Sequence, residues 1–115
     1  MSAFQSVAKF RIHPGQLEEF KRLAAESLAI VKEKDPGTTR YDWYMNEAQT
    51  ECMVLESYVS AEALMAHSRN VGRLVGQMLR ISECTVDMLA DPTAEMRVAL
   101  KRLPLTLYGR LLGLE

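Results

Sequence analysis

Apolar and polar positions alternate from Phe4 to Ile12, with Phe4, Ala8, Phe10 and Ile12 on one side and Gln5, Lys9 and Arg11 on the other. That period of two predicts a strand, and His13-Pro14-Gly15 breaks it. From Gln16 to about Asp35 the apolar residues change step. Leu17, Phe20, Leu23 or Ala24, Leu28 and Val31 follow a helical spacing with charges on the other face, and Asp35-Pro36-Gly37 stops the run. Thr38 to Glu47 is rich in Thr, Tyr and Trp and predicts a second strand. A short turn at Ala48-Gln49-Thr50 leads into a third, Glu51 to Val59, so the two form a hairpin.

Ser60-Ala61-Glu62-Ala63 has the character of a helix N-cap with an acidic first turn. The helix it opens carries Ala63, Leu64 and His67 early and Val71, Leu74, Val75, Met78 and Leu79 later. Gly72 and Gly76 weaken its middle and most simply permit close packing. Glu83 to Leu89 predicts a fourth strand, closed by Asp91-Pro92. Beyond it, Met96, Leu100, Leu103, Leu107, Leu111 and Leu114 fall at steps of three or four, which predicts an amphipathic helix over 93–114, kinked at Pro104. The order β-α-β-β-α-β plus a C-terminal helix predicts an α+β, ferredoxin-like fold: a four-stranded antiparallel sheet with both helices on one face. The domain spans 1–92 and the helical extension 93–115. The opposite sheet face would carry some of Tyr41, Trp43, Tyr44, Val54 and Tyr58, too apolar for water. It needs a second sheet, the tail helix or a ligand as cover.

Composition narrows the functional classes. The 115 residues are 48% apolar and 25% charged with a net charge of −1, the profile of one globular domain with no global field for nucleic acid or anionic membrane. Residues 1–92 hold ten basic and thirteen acidic side chains (−3), and 93–115 four basic and two acidic (+2), so the tail reads as an element docking on a mildly acidic body. No stretch approaches eighteen uninterrupted apolar residues and no signal peptide opens the chain, so the expected location is cytoplasmic. Cys52 and Cys84 lie in separate strand-like runs and are expected as reduced, buried thiols. Two His and two Cys, all scattered, supply no metal-ligand spacing.

Several landmarks resemble the antibiotic biosynthesis monooxygenase family over residues 4–90. They are Val7 to Ile12 running into Pro14-Gly15, then Pro36-Gly37-x-x-x-Tyr41, then Val54-Leu55-Glu56-Ser57-Tyr58, then Glu62-Ala63-Leu64-x-x-His67. The resemblance implies a dimeric α/β barrel, in which two protomers face each other through their sheets and each encloses a small pocket. It further implies oxidation of electron-rich quinol or phenol-like rings by dioxygen without a cofactor. Relatives on the scaffold also degrade haem or isomerise small molecules. Anthrone-oxidising members carry an Asn, a Trp and a Tyr where this chain has Val54, Tyr58 and Leu64. The Asn and Trp of haem-degrading members fall near Ala8 and Ser57, although His67 lies where their haem-binding His would be.

Individual residues remain open between chemistry and packing. His67 is a general base or donor at the pocket, or a helix histidine with a structural partner. Tyr41 and Trp43 share one strand face, as a wall on which a planar ring stacks or as core. Glu56 accepts a substrate proton if burial raises its pKa, or pairs with Arg11, Arg40 or Arg69 to hold a dimer. The leading expectation is a cofactor-free monooxygenase with His67, Glu56 and Tyr58 catalytic and Tyr41, Trp43, Val54 and Leu64 against the substrate. Its expected partners are a small aromatic molecule, dioxygen and a second copy of itself. The rivals are a non-catalytic dimeric binding or stress-associated protein and a cofactor-free isomerase or lyase.

Overall fold

A computed structural model describes residues 4–91, 93–99, 101 and 105–114. Its strands and helices are β1 (Phe4–Ile12), α1 (Leu17–Lys34), β2 (Thr38–Met45), β3 (Glu51–Tyr58), α2 (Ala61–Arg80), β4 (Ser82–Leu89), α3 (Ala94–Ala99) and β5 (Leu105–Tyr108). The first six follow the predicted order. In the sheet the strands lie β2-β3-β1-β4-β5, antiparallel throughout except for the parallel pair β4/β5. The result is the expected ferredoxin-like sheet extended by one edge strand, an open mixed sheet rather than a closed barrel.

Each helix is held by the stripe it buries. Phe20, Leu23, Ser27 and Val31 of α1, at steps of three and four, face the sheet. Its acidic first turn (Glu18, Glu19) and basic last turn (Lys32, Lys34) complement the helix dipole. Leu64, His67, Val71, Leu74 and Met78 form the stripe of α2, and the Ser60 hydroxyl accepts the Ala63 N–H as its cap. The hairpin between β2 and β3 closes on Asn46, whose side-chain carbonyl accepts the N–H groups of Thr50 and Glu51. Gln49 turns through a positive φ of 60° there.

Two expectations about the sheet and tail change. Among the described residues the tail is helical over Ala94–Ala99 alone; Leu105–Tyr108 is a strand on the free edge of β4, and Gly109–Leu114 runs on irregularly. The leucine spacing that predicts a helix overlies a second pattern, Leu105-Thr106-Leu107-Tyr108, whose alternation fits a strand, and the open β4 edge offers it a ladder. Leu105 and Leu107 pack beside Tyr58, Leu64, Met88 and Met96. Leu111, Leu112 and Leu114 are exposed, so no apolar stripe is buried there. The kink at Pro104 and the boundary at residue 92 lie outside the described residues.

The second change concerns the faces of the sheet. Tyr41, Trp43, Val54 and Tyr58 point toward the helices, not away from them. Of that aromatic set only Tyr44 lies on the outer face, half exposed, as the period of two requires. Arg11 and Arg40 are also on the outer face, paired with Glu83 and Asp42, so neither reaches Glu56.

Candidate active site

Helix α2 does not seal against the sheet. Between them lies a cavity of about 290 Å³, walled by Ala8, Phe10, Trp43 and Val54 below and by Leu64 and Val71 above. Its volume is at the small end of the range for ligand pockets, about 300–1,000 Å³. A compact molecule fits it. Gly72 and Gly76 border this space, and a Cβ built on either meets no atom within 4 Å. They therefore serve no close packing, contrary to expectation; they leave the cavity wall low.

The polar groups of the cavity converge from three strands and one helix. In the strand register Glu56 of β3 lies between Ser6 of β1 and Tyr41 of β2. Tyr58, two residues on and therefore on the same face, donates its hydroxyl to Glu56 Oε1. His67 descends from α2 with Nε2 3.6 Å from the same oxygen. Its ring is flanked by Tyr41 and Tyr58, with centroids 5.1 and 5.2 Å away. All three expected catalytic residues thus meet in one cluster, and all four expected binding residues line its cavity.

Burial sets the proton affinities here. The Glu56 side chain is only 14% exposed, and desolvation raises its pKa above the ordinary 4.5 despite the hydrogen bond from Tyr58. Tyr58 is pushed well up by its own burial and by the Glu56 charge, as is Tyr41. Burial likewise raises Cys52 to about 11 and Cys84 to about 12; both thiols are unpaired. No group of His, Cys, Asp and Glu able to hold a metal ion occurs among the described residues.

Two members of the cluster escape sequence reasoning. Asp35, read only as part of a helix stop, is 5% exposed, and its Oδ2 lies 2.9 Å from His67 Nδ1. The Asn70 side-chain amide donates to the other oxygen, Oδ1. A signal for Asp35 exists in the spacing: it continues the buried stripe Phe20, Leu23, Ser27, Val31 by one more step of four. A carboxylate on the apolar stripe of a helix calls for a partner. Asn70 follows His67 by three residues on α2 and so shares its face.

The antibiotic biosynthesis monooxygenase family model matches residues 4–73. The chain belongs to that family. Among solved structures it is similar to MupZ from Pseudomonas fluorescens, with a TM-score of 0.81 at 19% identity over 100% of this chain and 95% of that one. It is also similar to Rv0793 from Mycobacterium tuberculosis (TM-score 0.70, 21% identity, 80% and 97% covered). A variant of SnoaB, a cofactor-independent oxygenase from Streptomyces nogalater, matches with a TM-score of 0.68 at 14% identity, covering 82% and 97%. No curated protein matches the chain. At these identities the structural likeness carries the fold, and a reaction has to be argued from the site.

Proposed function

We propose that this protein is a cofactor-independent monooxygenase acting on a compact phenol or quinol-like ring. The observation that carries the reading is the cluster of Glu56, Tyr58 and His67, largely withdrawn from water, in a mainly apolar cavity. Membership of the monooxygenase family supports it. A phenol reacts with dioxygen faster as its anion, so the protein's task is to remove one proton and stabilise the resulting charge in a dry site.

His67 takes the phenolic proton. Glu56 in its protonated form, which burial favours, donates a hydrogen bond to the ring oxygen, and Tyr58 steadies that carboxyl through the hydroxyl it donates to Oε1. The ring anion transfers an electron to dioxygen, the two radicals combine, and the hydroperoxide loses water to leave a carbonyl. One ring C–H and one O–H are spent for each dioxygen; one oxygen atom enters the quinone product and the other departs as water, with the proton held by His67. Tyr41 and Trp43 present aromatic surface to the substrate. Val54 and Leu64 offer only apolar contact, so the polar recognition falls to Ser6, Glu56, Tyr58 and His67.

Oxygen consumption with a panel of naphthols and hydroquinones tests this reading. Uptake is expected to fall roughly 10²- to 10⁴-fold in His67→Ala and to drop in Tyr58→Phe. Proton exchange or isomerisation of the panel without oxygen uptake would assign the same residues to an isomerase instead. Binding with neither would make the chain a carrier.

A further inference from the structure

We propose that Asp35 and Asn70 are a positioning pair that keeps the His67 proton on Nδ1 and so leaves Nε2 as the basic nitrogen inside the cavity. For what that base acts on, the inference rests on the function proposed above; for the proton's position it does not.

What each group can donate fixes where the proton sits. An ionised carboxylate only accepts. With Asp35 Oδ2 2.9 Å from His67 Nδ1, the ring nitrogen is the donor. A neutral imidazole has one N–H, so a proton held at Nδ1 leaves a lone pair at Nε2. That nitrogen faces Glu56 Oε1 at 3.6 Å, too long for a hydrogen bond but short enough for a substrate hydroxyl to engage both.

Asn70 completes the pair. A carboxylate whose side chain is 1% exposed carries a large desolvation cost unless its oxygens are satisfied. Here each oxygen has one N–H donor: His67 on Oδ2 and Asn70 on Oδ1. The second bond stops the carboxylate from rotating about its own axis and fixes the direction in which it accepts from the ring. Because Asp35 caps the C-terminus of α1 while His67 and Asn70 stand in the middle of α2, the pair also ties the base to the helix packing. Neither Asp35 nor Asn70 lines the cavity wall, so their effect on the reaction passes through His67.

The test reads the tautomer directly. Nitrogen-15 NMR of labelled wild-type protein at alkaline pH is expected to show His67 protonated at Nδ1 and bare at Nε2. In Asp35→Asn the amide can itself donate to Nδ1, so the pattern inverts. Oxygen uptake is then expected to lose roughly 10³- to 10⁴-fold in kcat with KM nearly unchanged. Asn70→Ala keeps the tautomer and loses kcat by a smaller factor, since the carboxylate is freed rather than removed. A wild-type proton on Nε2 overturns the proposal outright, even if Asp35→Asn does not fold. It is equally overturned if both variants only lower the melting temperature while tautomer and kcat stay as in wild type. The expected tautomer without oxygen uptake would refute the oxygenase reading and leave the positioning pair standing.

Discussion

The sheet and α2 take the Glu56 carboxyl out of water and so raise its proton affinity, and that has a consequence for stability. Its folded pKa lies above the ordinary 4.5, so above that pH the folded chain binds more protons than the unfolded one. Stability from this group therefore declines as pH rises from about 4.5 to the folded pKa, and is level beyond it. Glu56→Gln removes the dependence. Urea unfolding at a series of pH values is expected to show the variant gaining on wild type as pH climbs through that window; parallel curves would mean that the carboxyl ionises freely. At this scale the sequence was partly legible. The alternation of a strand places Glu56 and Tyr58, two residues apart, on one face, and the His67 position matches the helical stripe. Asp35 was missed because Asp-Pro-Gly is also what a helix stop looks like, and its partner is 32 residues away.

At the level of elements, the glycines of α2 and of the α1–β2 turn behave oppositely. Gly72 sits within α2 with nothing near a built Cβ, so Gly72→Ala is expected to stabilise by about 1 kcal/mol through helix propensity alone. A Cβ on Gly37 would stand 2.5 Å from the Ala63 Cβ, in the first turn of α2. That atom is fixed to the helix backbone and cannot swing aside, so Gly37→Ala is expected to cost about 1–3 kcal/mol. Thermal melts of the two variants check both signs. The same pair of glycines separates what could be read early from what could not. Pro36-Gly37 was recognisable as a break, whereas the space beside Gly72 depends on how far α2 stands off the sheet. The tail failed at this scale too, since a strand edge left open by β4 outweighed a helical spacing of leucines.

Across the whole molecule, the outer sheet face is what remains uncovered. Tyr44, Met53, Leu89 and Tyr108 are exposed there, among charged neighbours such as the Arg11–Glu83 and Arg40–Asp42 pairs. This mixed surface is the one that the homodimer implied by the family resemblance would use, sheet against sheet, with the cavities on the far sides. Light scattering is expected to give twice the chain mass for wild type and a single chain mass for a Tyr44→Lys, Leu89→Lys double variant, which places two ammonium groups where the faces would meet. A wild-type monomer would discard the dimer without touching the site, because the cavity walls come from one chain. No described helix is long and apolar enough to cross a membrane.

Periodicity, strand propensity and turn and cap residues determined the first six elements, their order, and the faces that Tyr41 shares with Trp43 and Glu56 with Tyr58, because all of these are local consequences of backbone geometry and side-chain type. The tertiary structure decided which sheet face the helices cover, that α2 leaves a void above Val54, that Asp35 meets His67, and that the tail adds a strand. Each of those depends on contacts between segments far apart in the chain, where the choice is set by competing burial and pairing rather than by any run of neighbouring residues.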